Sequence, residues 1–230
     1  MPGFSTLDPT LTAALTRIGL RGKRVVQIGC NNGREILSCL SLGAAEGLGI
    51  DQSEAFLAQG RHLAARAGLT CRFLCADVYA LPPTTPRGFD VALITIGVLN
   101  WMPDLPRFFG TVEGLLTPGG TLVIYETHPF LEVFDPTGDD PFTPATSYFR
   151  SAPFVSAEAL VYDGAEAPPA PPSYWFVHTL GAILNACTGA GLTLARFDEF
   201  PHSNREAEYD QYENREAQLP MCYLLEARKT

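Results

Sequence analysis

Residues 23–33, Lys23 to Gly33, read KRVVQIGCNNG and pass from an apolar run into a loop that keeps two glycines, Gly29 and Gly33, with asparagines between them. The run Val25, Val26, Gln27, Ile28 is what a strand covered on both faces looks like. The segment behind it, GREILSCLSLG, spaces Ile36, Leu37, Leu40 and Leu42 as a helix does and stops at Gly43. In a strand, glycine loop and helix, backbone N–H groups and the positive helix end face a ligand. Read alone, the stretch also suits a tight turn that merely needs glycine. The dinucleotide pattern GxGxxG is absent, because GCNNG has no middle glycine.

Working outward, short apolar runs alternate with amphipathic segments from residue 10 to residue 130, the pattern of a parallel sheet covered by helices. Thr10 to Ile18 reads as a lead-in helix and GLGID as the second strand. SEAFLAQGRHLAARAG reads as a helix capped by Ser53 and stopped at Gly68. TCRFLCAD and FDVALITIG supply strands three and four. LPRFFGTVEGLLTPGG reads as a helix closed by Pro118, Gly119 and Gly120, and TLVIYETH as strand five. After Pro129 the texture changes: residues 130–173 hold Pro136, Pro141, Pro144, Pro153, Pro168, Pro169, Pro171 and Pro172, too many for a regular helix. Phe134, Phe142, Tyr148, Phe149, Phe154 and Tyr162 interleave with them, which suits a cap or lid, a proline-rich surface excursion being the plainer reading. SYWFVHTLGAILNACTGAG reads as a further helix, with LTLARFDEF and MCYLLEARK as closing strands.

A chain of 230 residues with 46% hydrophobic content can bury a large core, so residues 1–230 are expected to form one domain with 130–173 as its insertion. A net charge of −9 with no Lys/Arg cluster speaks against nucleic acid as a partner. No apolar run is long enough for a membrane span and the N-terminus lacks a secretory pattern, so a cytoplasmic location is expected. The six cysteines, Cys30, Cys39, Cys71, Cys75, Cys187 and Cys222, show no CxxC spacing and read as reduced structural thiols, with no metal site implied.

Two further strand ends sharpen the loop's meaning. Asp51 closes the second strand 18 positions after Gly33, near the spacing of about 20 at which a carboxylate can take ribose hydroxyls, while Ser53 is free to cap the next helix. Asp77, followed by Val78, closes the third strand. Ligands of open α/β sheets bind beyond such carboxyl ends.

On these residues the sequence resembles the class I S-adenosylmethionine-dependent methyltransferases, from about Lys23 to His128 and again from Trp175 onward. The resemblance implies a Rossmann-like, doubly wound α/β sheet, mostly parallel with an antiparallel last strand and a proline-rich cap after strand five. It implies S-adenosyl-L-methionine as cofactor, with Gly29, Cys30, Asn31 and Gly33 around its amino-acid part. Asp51 with Gln52 would meet the ribose, and Asp77 with Val78 the adenine. Ile96, Gly97 and Trp101 would line the methionine end. The family commonly places an acidic residue at Gln27 and glycine at Asn31. Gln27 can still accept from an ammonium or hold loop amides, and asparagine tolerates left-handed backbone angles.

Methyl transfer from a sulfonium is an in-line displacement in which the protein aligns the acceptor, excludes water and removes a proton where needed. Glu126 and His128, at the end of strand five, and His178, read as opening the helix after the proline-rich segment, are the candidate catalytic groups. His202 is a weaker one. The aromatic content and few positive charges of the cap point to a small, partly apolar acceptor rather than one bearing phosphate. Monomer and homodimer are equally compatible with the sequence. A cofactor binder without turnover and an NAD(P)-dependent oxidoreductase are the competing readings.

Overall fold

The computed structural model describes residues 5–158, 169–204 and 207–230. Helix α1 (Pro9–Ile18) precedes β1 (Arg24–Ile28), α2 (Arg34–Ser41), β2 (Glu46–Asp51), α3 (Glu54–Ala67), β3 (Arg72–Cys75) and β4 (Phe89–Thr95). Then come α4 (Leu105–Leu115), β5 (Leu116–Thr127), β6 (Phe154–Glu158), β7 (Pro169–Trp175), α5 (Leu180–Gly189), β8 (Leu192–Phe200) and β9 (Cys222–Lys229). Seven strands form one sheet in the order β3-β2-β1-β4-β5-β9-β8. All its pairs are parallel except those made by β9, which runs antiparallel to both β5 and β8. The expected mostly parallel, doubly wound α/β sheet with an antiparallel last strand is what the chain forms.

Alternation along the strands sorts the core into two faces. Val26 and Ile28 of β1 join Phe108, Phe109 and Val112 of α4 and Ile183 and Cys187 of α5 on one side. Val25 joins Leu11 and Leu15 of α1 and Ile36 of α2 on the other. Gln27, two residues after Val25, therefore points towards α2, the direction that decides its role.

Two segments differ from the sequence reading. The helix expected over 173–191 begins only at Leu180, because the Thr179 hydroxyl accepts from the Ala182 N–H as a side-chain cap. The residues before it extend as β7, which pairs antiparallel with β6, so the proline-rich segment contains a two-stranded ribbon. Its prolines are tolerated because such a ribbon has open edges that need no donor. Residues 159–168, including Tyr162 and Pro168, lie outside the described residues. Helix α4 ends at Leu115, short of the Pro118-Gly119-Gly120 turn. Those residues bulge within β5, whose pairing jumps from Leu116 opposite Phe89 to Thr121 opposite Val91. Proline cannot donate to the ladder and Gly119 takes φ +76°, so the irregularity is local chemistry.

Candidate functional site

The loop after β1 is shaped from below. Gly33 takes φ +73°, and a Cβ there would lie 2.5 Å from the Phe73 ring. Gly49, in the neighbouring β2, would bring a Cβ to 2.9 Å from the same ring and 2.7 Å from Cys30 Sγ. Phe73 thus presses the loop and the second strand into contact at places where no side chain fits. The Cys30 thiol is fully buried and desolvation pushes its pKa far up, so Cys30 can offer a ligand only its backbone. Asn31 adopts φ +49°, the left-handed angle its short amide tolerates, and its Oδ1 accepts from the Asn32 N–H at 2.7 Å.

Asp51 ties loop to strand end. Its Oδ2 accepts from the Asn31 N–H at 2.7 Å and its Oδ1 from the Ser53 N–H at 2.8 Å. A carboxylate has about four lone-pair sites, so both oxygens keep capacity for hydroxyl donors. Ser53 caps α3 through the Phe56 N–H. Gln52 and Asp77 are exposed at the next strand ends, whereas the Val78 side chain is buried in the core and leaves its backbone to a ligand. Asp77 accepts from the Tyr79 N–H at 2.8 Å.

Gln27 does not face outward. It is 1% exposed, its Oε1 accepts from the Ile36 N–H at 3.0 Å, and its Nε2 donates to Thr95 Oγ1 at 3.1 Å. Gly33 brings no side-chain cap to α2, so the amide of Gln27 serves that helix end from the strand below.

The three catalytic candidates meet at the end of β5 but differ in what their polar atoms are doing. Glu126 is buried, and its carboxylate accepts from the Gly97 N–H at 2.5 Å and the Leu99 N–H at 3.1 Å, pinning the loop after β4. His128 is buried too. Its Nδ1 accepts from the Phe130 N–H at 3.1 Å, so the proton sits on Nε2, which donates to Glu199 at 2.9 Å. Both its nitrogens are therefore engaged. His178 lies in the loop before α5, with Nε2 2.8 Å from the Met102 carbonyl. A carbonyl only accepts, so Nε2 carries the proton and the lone pair of a neutral ring is on Nδ1. Burial lowers the His178 pKa, opposed by hydrogen bonding to the Met102 and Leu99 carbonyls; burial likewise lowers that of His128, opposed by Glu199. His178, Glu126, Asn100 and Tyr223 line a small cavity of about 10 Å³ between the strand ends and α5. Among the described residues, the buried Tyr223 hydroxyl has no hydrogen-bond partner. His202 lies elsewhere, bonded to Thr10 at 2.9 Å.

Sequence reasoning missed the residues that fasten the insertion to this crevice. Trp175, at the end of β7, packs edge-on against Trp101 with ring centroids 5.1 Å apart and lies over Gly97, where a Cβ would meet it at 3.3 Å. Its Nε1 donates to Glu132 at 3.1 Å. Asn100 exchanges two bonds with Phe176, accepting from its N–H at 2.7 Å and donating from Nδ2 to its carbonyl at 2.9 Å. Trp175 stands in the apolar run Tyr174-Trp175-Phe176, but nothing in the sequence aligns it with Gly97. Among the described residues, no helix is long and apolar enough to cross a membrane.

Residues 25–120, the loop and the strand ends described above, match the family model described as a methyltransferase domain. Over that stretch, under half of its length, the chain is similar to the S-adenosylmethionine-dependent methyltransferases, as the resemblance in the sequence implies. Among curated methyltransferases, it is 33% identical over 110 residues to a ribosomal protein L11 methyltransferase of Vibrio cholerae, covering 48% of this chain and 35% of that protein. It is 41% identical over 86 residues to a demethylmenaquinone methyltransferase of Thermus thermophilus, covering 37% of this chain and 38% of the relative. The matches thus span little more than a third of those relatives. An S-adenosylmethionine-dependent methyltransferase of Mesorhizobium loti superposes with a TM-score of 0.62 at 24% identity, over 94% of this chain and 96% of that one, and shows the shared methyltransferase fold.

Proposed function

We propose that this chain transfers a methyl group from S-adenosylmethionine to a small-molecule acceptor by in-line displacement. The observation that carries the reading is Asp51. A carboxylate at the end of β2 is tied by one oxygen to the glycine-loop backbone, yet keeps acceptor capacity towards the crevice. The residues present fit the cofactor. Asp51 and Gln52 would take the ribose hydroxyls, Asp77 and the Val78 backbone the adenine, and the backbone of Gly29 to Gly33 the amino-acid part. Ile96, Gly97 and Trp101 would border the sulfonium end. When bound, the cofactor supplies an electrophilic methyl group. Of the two departures, Asn31 keeps the left-handed angle a glycine would take, while the carbonyl of Gln27 is spent on the Ile36 N–H, so Gln27 supports the loop instead of gripping an ammonium.

Of the three catalytic candidates, His178 is the base. Its Nε2 proton is held by the Met102 carbonyl, which orients the ring and leaves Nδ1 to accept a proton from an acceptor group. Glu126 and His128 act by position, Glu126 holding the Gly97 to Leu99 backbone and His128 the turn at Phe130. Residues 1–230 form one domain in this reading. The described part of the insertion 130–173 caps the crevice in this reading, supported by Trp175, just past its end, seated above Gly97. The quinone-ring substrate class in the name of the Thermus relative supports a small molecule, and the net charge of −9 disfavours nucleic acid.

A second reading, a binder without turnover, is favoured by the commitment of Gln27. Calorimetry with S-adenosylhomocysteine, S-adenosylmethionine and NAD separates the classes: both sulfur ligands bind and NAD does not. Asp51→Ala should weaken the sulfur ligands at least about tenfold, the scale of losing hydrogen bonds to a charged acceptor. Binding of NAD alone overturns the proposal, and unchanged affinity in the variant overturns the ribose assignment.

A further inference from the structure

A second cavity, of about 450 Å³, opens between the proline-rich insertion and the loop joining β8 to β9. It is lined by Phe134, Phe142, Tyr212, Leu219, Arg215 and Glu216. That volume lies within the range of small-molecule sites. Its floor is built, since Tyr212, 1% exposed, packs with buried Leu131 and Met221 and spends its hydroxyl on the Pro141 carbonyl at 2.6 Å. What the floor presents is therefore apolar.

The cation in this cavity is also held in place. Gln218 accepts from the Arg215 N–H at 3.1 Å and donates to the carbonyls of Tyr212 and Leu219 at 3.0 and 2.9 Å, fixing the loop backbone. The Arg215 guanidinium stands 4.4 Å above the Phe142 ring. Among the described residues no carboxylate pairs with it, although six other Arg or Lys ion pairs are formed. A guanidinium resting on an aromatic face keeps its N–H fork for a carboxylate. Glu216 on the same lining, and Asp135 close enough to raise the Tyr212 pKa after burial has done so, make a doubly charged anion unwelcome.

The cavity is joined to the candidate active site by a file of aromatic rings. Phe134 packs on Phe130 with centroids 5.8 Å apart, and Phe130 on Tyr148 at 6.2 Å. The Tyr148 hydroxyl accepts from the Leu180 N–H at 2.9 Å, at the start of the helix that follows His178. We infer that the cavity binds a planar aromatic ring carrying a single carboxylate, the carboxylate on the Arg215 fork and the ring on the Phe134 and Tyr212 wall, as a ligand site distinct from the methyl-transfer crevice. This site does not rest on the methyl-transfer reading.

The test titrates the full chain with 2-naphthoate and with 2-naphthamide by calorimetry, and with S-adenosylhomocysteine on the same preparation. 2-Naphthoate should bind with a Kd below about 1 mM and the uncharged amide at least about tenfold more weakly, since a charge-assisted bidentate pair is worth about that factor. Arg215→Ala should remove the preference for the acid while leaving S-adenosylhomocysteine affinity intact, which certifies the fold. Phe142→Leu should weaken acid and amide alike. Equal binding of acid and amide, an unchanged preference in Arg215→Ala, or no binding of 2-naphthoate at millimolar concentration overturns the inference. If S-adenosylhomocysteine fails to bind while 2-naphthoate binds through Arg215, the site stands and the methyl-transfer reading falls; the converse result removes only the site.

Discussion

Replacing Gln27 with methionine keeps the length and nearly the volume of the side chain while removing both of its hydrogen-bonding ends. The Ile36 N–H then loses its acceptor inside a residue that is fully buried, and Thr95, 7% exposed, loses the donor to its hydroxyl. An orphaned buried N–H costs about 1–3 kcal/mol and the lost second bond about 0.5–1.5, so the variant should be destabilised by about 2–4 kcal/mol. For a chain of this size each kcal/mol moves Tm by about 2–4 °C, giving a fall of about 5–15 °C. Thermal unfolding followed by circular dichroism reads this directly, and the urea midpoint at unchanged m-value checks it. S-adenosylhomocysteine affinity should fall as well, because the start of α2 and the glycine loop share this anchor. A Tm within about 2 °C of the parent would refute the assignment of Gln27 as the helix's surrogate cap.

His178→Gln keeps a donor for the Met102 carbonyl but loses the basic nitrogen, so kcat should fall about 10²- to 10⁴-fold with cofactor affinity retained, while His128→Gln should cost stability more than kcat. Equal kcat losses in the two variants would remove His178 from its role. Burial lowers the His178 pKa from its ordinary 6.5, so its contribution to stability is fully present above about pH 6.5 and is lost as pH falls through the folded value. The decline of the urea midpoint between pH 7 and pH 5 should therefore be shallower in His178→Gln, and a parallel decline counts against the shift. Gly49→Ala, which adds a methyl group 2.7 Å from Cys30 Sγ without demanding an unusual backbone angle, should cost about 1–3 kcal/mol by overpacking, read from denaturant unfolding. No measurable loss would mean that the loop and β2 are not in contact.

Much of this was legible from Lys23 to Gly33 and the two aspartates that follow. Strand periodicity and helix stops fixed the order of elements, and the spacing of Asp51 from Gly33 placed a carboxylate beside the loop before any coordinates did. The sequence could not show the direction of a side chain at a strand end. Glu126 and His128 stand where a base would, yet each is turned onto backbone groups, and His178 is distinguished only by the Met102 carbonyl, 76 positions away in the chain. The ribbon of β6 and β7 was hidden because proline suppresses the alternation that marks a strand. The early start given to α5 has the same origin, since SYWFVHT is apolar enough to pass for a helical turn until Thr179 is seen to cap the one that follows.

The position of Phe73 has a consequence for how this loop can change. One ring touches the space beside Gly33, Gly49 and Gly60, three positions on three separate elements. Substitutions at these glycines will not add in full, because each asks the same ring to move; a smaller residue at position 73 should relieve that shared part and leave Cys30 Sγ against position 49, the Asn32 carbonyl against position 60 and the left-handed angle at position 33. The Asn32 carbonyl meets the same space, 3.0 Å from where a Cβ at Gly60 would lie, so the loop backbone shares the constraint and its side chains are where the loop can diverge one step at a time. A homologous loop that regained a residue larger than glycine at position 33 would therefore be expected to have lost its aromatic ring at position 73 first.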